Sequence, residues 1–213
     1  MENRFIFDTR RYLVLCSNGL SSEKLLSAVS EKTYGCKIAA LVVTADNEYK
    51  EMNYHVERCT NELKSLGLSV ETFDLDKQPA KQLLDYDVVE FIGGNPFYLL
   101  NAIRENNATE ILKELATKKV LIGWSAAAFV FGPTLELVNG YSPEMNFLGL
   151  TDLKGIELTK VEVLPHYSKF KKRFDRFEER CSSYEEAHGI EVIRINDGEG
   201  VLIDDRGVSI CRL

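Results

Sequence analysis

The sequence predicts an α/β fold, a three-layer α/β/α sandwich with a mostly parallel central sheet and a C-terminal β-hairpin. Three observations predict it: short apolar runs recur through the first 132 residues, longer amphipathic segments separate them, and closely spaced strand patterns follow Gly155. Short runs of Val, Ile and Leu are typical of strands that are buried on both faces. Strands that alternate with helices predict a parallel sheet with helices on both sides.

Each element follows from its local pattern. The parallel strands are predicted at residues 12–16, 38–43, 88–92 and 120–122, and the amphipathic helices around residues 25–29, 56–66, 99–103 and 111–115. Later strands are predicted at residues 156–164, 191–195, 201–203 and 208–211, with a turn at 204–207 between the last two. A charged segment, residues 169–186, carries Phe170, Phe174 and Phe177 at helical spacing. The chain has no internal repeat, low-complexity tract or obvious linker, which predicts one domain over residues 1–213.

Charge argues against several classes of partner. The 213 residues include 26 Lys and Arg against 33 Asp and Glu, which gives a net charge of −7. The nearest approach to a basic cluster, residues 169–173, is followed at once by acidic residues. An acidic chain without a basic block is not expected to bind nucleic acid or an anionic membrane.

The cysteines indicate a reduced compartment. Five are scattered without a C-x-x-C pair, so no disulfide framework and no zinc site is predicted. The N-terminus lacks a signal-peptide pattern, and no apolar run approaches the ~18 residues that span a bilayer. These features predict a cytoplasmic protein without a membrane partner.

The strongest candidate for chemistry is Ser125. It follows the buried strand Val120-Leu121-Ile122-Gly123-Trp124 and precedes a run of alanines, which is the layout of a nucleophile elbow. Small residues suit this turn because the strand and helix backbones approach closely, and the Ala126 N–H is free to stabilise an oxyanion. The alternative interpretation is a serine N-cap in front of a tightly packed helix.

A second strand end carries Gly93-Gly94-Asn95-Pro96. Paired glycines permit unusual backbone angles and the close approach of a ligand, so backbone N–H groups here can complete an oxyanion hole with Ala126. The alternative is an ordinary strand-to-helix turn, with Pro96 starting the helix.

A general base for Ser125 must come from three histidines, of which His166 is the best placed because it ends a predicted strand. A triad also needs a carboxylate to orient the imidazole. Asp197 and Glu199 are the candidates, and the sequence leaves open both the choice between them and a plain Asn-Asp-Gly turn.

In combination these segments resemble the serine peptidase family of aspartyl dipeptidases (dipeptidase E) and cyanophycinases, from the first strand to the last hairpin. The resemblance implies a fold related to class I glutamine amidotransferases. It implies Ser125 as nucleophile, His166 as general base and acid, Asp197 as orienting carboxylate, and an oxyanion hole from the Gly94 and Ala126 N–H groups. The residues most specific to it are Gly93-Gly94-Asn95, Gly123-Trp124-Ser125-Ala126, Pro133-Thr134 and Pro165-His166.

The resemblance further implies hydrolysis of short peptides without a metal or an organic cofactor. Asn95, Trp124, Glu136 and Arg173 are expected near the substrate. Two positions depart from the family: Ala127 stands where the elbow usually has its second glycine, and Glu136 stands where aspartyl dipeptidase has an arginine. Because an acidic residue repels a substrate carboxylate, a preference for aspartate is not expected.

Two alternatives remain open from the sequence. Ala127 and Glu136 favour a non-catalytic member of the same fold that binds or senses a small molecule. An amidotransferase-like thiol enzyme is the other, with Cys16 near the end of the first strand as its thiol. The sequence gives no indication of oligomeric state.

Overall fold

The computed structural model describes residues 12–213. A seven-stranded sheet lies at its centre, with strand order β3-β2-β4-β5-β1-β8-β9, and β6 and β7 pair separately as two parallel strands. Strands β1 to β5 run parallel, whereas β8 is antiparallel to β1 and β9 is antiparallel to β8. The bounds are β1 Tyr12–Cys16, β2 Ile38–Val42, β3 Ser69–Phe73, β4 Val88–Phe91, β5 Val120–Trp124, β6 Glu162–Leu164, β7 Val192–Arg194, β8 Gly200–Asp204 and β9 Gly207–Cys211.

Eight α-helices accompany these strands over the described residues. Ser22 caps the first helix by accepting a hydrogen bond from the Leu25 N–H, and Asn95 caps the third in the same way. The bounds are α1 Glu23–Thr33, α2 His55–Ser65, α3 Pro96–Glu105, α4 Thr109–Lys118, α5 Ala126–Val130, α6 Glu136–Tyr141, α7 Tyr167–Arg173 and α8 Phe177–His188.

Apolar residues cover both faces of the central sheet. Along β1, Leu13 and Leu15 belong to one buried cluster, whereas Val14 and Cys16 belong to another. Because successive side chains of a strand point to opposite faces, these clusters are the two helix-covered layers of the sandwich. The predicted three-layer fold with its C-terminal hairpin is confirmed.

Several predicted elements differ from the observed ones. Strand β3 was not predicted because its Ser-Val-Glu-Thr-Phe sequence is polar, which is possible because β3 is the edge of the sheet. The strand predicted at residues 156–164 is wrong over most of its length, since only Glu162–Leu164 is a strand. The helical spacing predicted across residues 170–177 is broken, because α7 ends at Arg173 and α8 begins at Phe177.

Parallel strands bring their carboxyl ends to one edge of the sheet, and this edge carries the candidate site. The residues that follow β1, β4 and β5 meet there, together with the segment after β6. Among the described residues, no helix is both long and apolar enough to cross a bilayer. The expectation that the N-terminus is not a signal peptide concerns residues 1–11, which lie outside the described residues.

Candidate active site

Ser125 stands in a sharp turn between β5 and α5. Its backbone has φ 53° and ψ −106°, a conformation that is strained for a residue with a side chain. The Ser125 N–H donates to the Cys16 carbonyl at the end of β1, which anchors the turn against the neighbouring strand. A strained serine between a buried strand and a helix has the geometry of a nucleophile elbow.

Small residues around Ser125 make this turn possible. A Cβ atom at Gly123 would lie 2.6 Å from the Phe131 ring and 3.1 Å from the Ala127 Cβ, so the strand has no room for a side chain there. Ala127 itself is fully buried. The methyl group that distinguishes this elbow from the usual Gly-x-Ser-x-Gly pattern is therefore accommodated in the packed layer beneath the turn.

The second glycine turn lies beside Ser125. Gly94 has φ +155°, and a Cβ atom there would lie 2.2 Å from the Ala45 carbonyl oxygen, so only glycine fits. Gly94 and Ala126 line one cavity together with Ser125. Within the described chain, the N–H groups of Gly94 and Ala126 donate to no protein acceptor, which leaves both available to an oxyanion.

His166 and Asp197 form a close pair. The distance from His166 Nδ1 to Asp197 Oδ1 is 2.6 Å. His166 is the residue before α7 and has a left-handed backbone with φ 55°, and Asp197 lies in the turn between β7 and β8. An Nδ1–H that donates to the carboxylate leaves Nε2 free to accept a proton.

Ser17, which the sequence reasoning did not single out, ties this pair together. Its hydroxyl donates to Asp197 Oδ1 at 2.7 Å, lies 3.2 Å from His166 Nδ1, and accepts a hydrogen bond from the His166 N–H at 3.0 Å. Lys169 Nζ contacts the other carboxylate oxygen, Asp197 Oδ2, at 2.5 Å. The available signal for Ser17 was its place directly after β1, at the same sheet edge as Ser125.

The pKa values of the pair follow from burial and hydrogen bonding. Burial lowers the pKa of His166 below 6.5, although Asp197 opposes the shift. Asp197 has its pKa lowered to about 2; burial opposes this shift, and hydrogen bonds from Lys169, Ser17 and His166 outweigh it. Near neutral pH the pair is thus a neutral imidazole and an ionised carboxylate, the states that a general base and its orienting group need.

The other predicted residues lie in different places. Glu199, the alternative third member, accepts from the Asn196 N–H and from Arg212, whereas the carboxylate that bonds to His166 is that of Asp197. The Asn95 side chain caps α3 and donates to the Met145 carbonyl, so it acts within the fold. Glu136 is bonded to His188 at 2.9 Å and lines a separate cavity, not those that contain Ser125.

Two cavities meet at Ser125, and both are also lined by Gly94 and His166. The first, about 370 Å³, includes Arg173 in its lining. The second, about 310 Å³, includes Trp124. The described residues contain no hydrogen bond between the Ser125 and His166 side chains; such bonds are often long before substrate binds. A serine, an imidazole–carboxylate pair and free N–H groups around shared cavities can perform acyl transfer.

Comparison with known sequences agrees with this chemistry. The profile described as Peptidase family S51 matches residues 13–211. An uncharacterized peptidase (Lmo0363) of Listeria monocytogenes serovar 1/2a is 30% identical over 137 residues, 62% of this chain and 66% of that protein. Peptidase E of Shewanella baltica is 29% identical over 109 residues, 51% of this chain and 44% of that protein. The matched segments thus span less than two thirds of these two relatives.

Solved structures agree with the fold. The crystal structure of a putative peptidase E protein from Listeria monocytogenes EGD-e superimposes with a TM-score of 0.73 at 25% identity, covering 95% of this chain and 98% of that one. A peptidase from an acI-B1 Actinobacterium superimposes with a TM-score of 0.68 at 15% identity, covering 94% and 86%. The second likeness concerns the fold alone.

Proposed function

The chain belongs to peptidase family S51; we propose that it is a serine peptidase that cleaves short peptides through a triad of Ser125, His166 and Asp197. The observation that carries the proposal is the strained Ser125 turn, which shares two cavities with an imidazole hydrogen-bonded to a carboxylate. Backbone strain at a half-buried polar residue that lines a cavity is typical of functional sites.

The reaction follows the logic of a serine acyl transfer. Ser125 Oγ forms a bond to the peptide carbonyl carbon while His166 Nε2 accepts the hydroxyl proton, and the Gly94 and Ala126 N–H groups hold the oxyanion. The C–N bond breaks as His166 returns that proton to the leaving amine. A water molecule, deprotonated by His166, then releases the acid and regenerates the Ser125 hydroxyl.

Asp197 holds the imidazole in the tautomer that this cycle requires. Its hydrogen bond to Nδ1–H directs Nε2 toward the proton transfers, and its negative charge stabilises the imidazolium that forms in each half-reaction. The Ser17 hydroxyl and the Lys169 ammonium group also bond to the Asp197 carboxylate, one to each oxygen. The carboxylate therefore cannot rotate without losing several hydrogen bonds.

Intact mass after treatment with a fluorophosphonate tests the proposal. We expect one adduct on the wild-type protein and none on Ser125→Ala or His166→Ala, because an alcohol without its base is a poor nucleophile. Phenylmethanesulfonyl fluoride, a smaller electrophile, serves as the second probe. Folded wild-type protein that reacts with neither reagent, or an adduct that persists on Ser125→Ala, overturns the assignment and favours a non-catalytic binding protein.

A further inference from the structure

The 370 Å³ cavity beside Ser125 has a mainly apolar wall. Helices α5, α6 and α7 and the segments that follow α6 and α7 supply most of its side chains, and Ser125 and His166 lie in the same lining. A volume of this size is within the range of small-molecule sites. The apolar lining residues are Phe129, Val138, Tyr141, Met145, Phe170 and Phe174.

Aromatic rings make part of this wall rigid. The Tyr141 ring centroid lies 5.2 Å from that of Phe170 and 5.1 Å from that of Phe174, within the range of favourable ring pairs. The Tyr141 hydroxyl is buried and has no partner among the described residues. Tyr141 therefore presents its ring to the cavity and keeps its polar atom out of it.

The charged residues of this lining are exposed ones. Glu144 and Arg173 both have exposed side chains, and the Arg173 guanidinium lies 5.2 Å from the Phe174 ring centroid. A substrate carboxylate that entered the cavity would lose its hydration without meeting a buried cation, which is costly. An apolar side chain would gain from the same burial.

The second cavity at Ser125 has more polar groups in its lining, beside the rings of Tyr54 and Trp124. It is lined by the polar side chains of Asn18, Asn53 and Lys169 as well as by the catalytic residues. A dipeptide bound across Ser125 has a free carboxylate on its leaving residue, which suits the amide and ammonium donors here. This orientation leaves the apolar cavity for the acyl-side residue, and the lining of that cavity includes the carboxylate of Glu144.

We propose that the apolar cavity binds the side chain of the residue on the acyl side of the scissile bond, and that this residue is aromatic or branched aliphatic. The proposal rests on the serine peptidase function proposed above. It assigns this chain a substrate class different from acidic peptides, because the wall is built from rings and Glu136 pairs with His188 elsewhere.

Two dipeptide series test the assignment. In the first, the N-terminal residue is Phe, Leu, Ala or Asp and the second is always Ala; in the second, Ala comes first and the second residue varies. We expect kcat/KM for Phe-Ala and Leu-Ala to exceed that for Ala-Ala and Asp-Ala by about 10-fold or more. Variation of the second residue should change kcat/KM much less.

Variants of the wall add an independent measurement. Phe174→Ala should lower the ratio of kcat/KM for Phe-Ala to that for Ala-Ala several-fold, and Phe174→Leu should retain most of it. Phe147→Ala is the matched control, because Phe147 is an exposed aromatic residue outside both cavities. Melting temperatures identify any variant that has lost its fold.

The outcomes separate this proposal from the one it rests on. Fluorophosphonate-reactive protein that prefers Asp-Ala, that responds mainly to the second residue, or that cleaves no dipeptide overturns the assignment of the cavity while the activated serine stands. Protein without a reactive serine overturns both. An unchanged Phe-Ala preference in folded Phe174→Ala also contradicts the proposal.

Discussion

The Ser17 hydroxyl donates a hydrogen bond to the Asp197 carboxylate at 2.7 Å, although the residues are 180 positions apart in sequence. Ser17 is fully buried and also accepts the His166 N–H. A single side chain thus holds the carboxylate and the backbone of the histidine, which itself has the left-handed conformation that most residues avoid. Ser17 is therefore a positioning residue for the pair, one that acts through His166 and Asp197.

Replacing Ser17 should impair turnover more than substrate binding. We expect Ser17→Ala to lower kcat about 10- to 100-fold with a small change in KM, because a displaced base transfers protons poorly. Loss of the hydrogen bond also raises the pKa of Asp197, which strengthens its attraction for the imidazolium and moves the acid limb of kcat/KM to higher pH.

Two further variants define the readout for Ser17. Ser17→Thr retains a hydroxyl and should recover much of the lost turnover, whereas Ser27→Ala, at an exposed serine of α1, should behave as wild type. A Ser17→Ala protein whose pH profile is unshifted and whose loss of activity equals its loss of folded protein contradicts the positioning role.

The sequence was sufficient for the central fold because its signals are local. Strands β1, β2, β4 and β5 are continuous apolar runs, and their order along the chain with intervening helices predicts the parallel sheet. Strand β3 gave no such signal, because it lies at the edge of the sheet and most of its side chains are exposed and polar. Residues 156–161 read as a strand because apolar and polar residues alternate there, yet they bond to the turns around residues 130–133 instead.

Some residues of the candidate site are also marked by a local sequence pattern, and others are not. Ser125 and Gly94 are marked by glycines and alanines at strand ends, so their neighbourhood is visible in sequence. Ser17 and Lys169 carry no local pattern, and their importance depends on long-range contacts with Asp197. Glu136 illustrates the converse, because its position in a motif suggested substrate contact and the fold pairs it with His188.

The acid limb of the pH–rate profile should report His166. In the proposed mechanism the imidazole must be neutral to accept the Ser125 proton, and burial lowers the pKa of His166 below 6.5. Activity should therefore persist as pH falls past 6.5 and be lost at a lower pH, when the imidazole becomes protonated. A profile of kcat/KM from pH 4 to 9 measures this limb.

The companion variant for this profile is Asp197→Asn. It removes the carboxylate that favours the imidazolium, so the limb should move to still lower pH while turnover falls by about 10⁴-fold. A wild-type limb above pH 6.5, or an Asp197→Asn protein with near-normal turnover, is inconsistent with the assigned roles.

Replacing Lys169 should move the acid limb of the pH–rate profile in the direction opposite to that expected for Asp197→Asn. Its ammonium group lies 2.5 Å from Asp197 Oδ2, and its positive charge lowers the pKa of His166. Lys169→Met removes that charge, so we expect the acid limb to move to higher pH. Lys172→Met, at an exposed lysine of the same helix, is the matched control. Equal shifts in both variants would mean that the net charge of the protein, and not the contact between Lys169 and Asp197, sets the pKa of His166.

Gly94 should not tolerate a side chain. Gly94→Ala places a Cβ atom 2.2 Å from the Ala45 carbonyl oxygen, so the backbone must move and its N–H moves with it. We expect kcat/KM to fall about 10²- to 10³-fold, the cost of losing one oxyanion donor. Gly67→Ala is the control, because Gly67 also has positive φ but has nothing within 4 Å of the added atom. Comparable activities for the two folded variants would exclude Gly94 from the oxyanion hole.

Glu90 should make stability depend on pH in an unusual direction. This β4 residue is fully buried, its carboxylate oxygens have no hydrogen-bond partner among the described residues, and burial raises its pKa from 4.5 to about 8. The negative charge of Glu62 adds to the rise, and the positive charge of Arg58 opposes it. Between pH 4.5 and about 8 the folded protein keeps a proton on Glu90 that the unfolded chain releases. The free energy of unfolding therefore falls as pH rises through this range.

Glu90→Gln removes this proton linkage. We expect the wild-type free energy of unfolding, measured by urea denaturation at pH 5, 6, 7 and 8, to decline relative to that of Glu90→Gln across the series. The stabilising contribution of the protonated carboxyl is complete below pH 4.5 and lost as pH rises through about 8, so the difference between the proteins should grow with pH. Glu57→Gln, at an exposed position of α2, should follow wild type. Parallel curves for wild type and Glu90→Gln would mean that Glu90 is ionised in the folded protein, which would require Arg58 to compensate its charge.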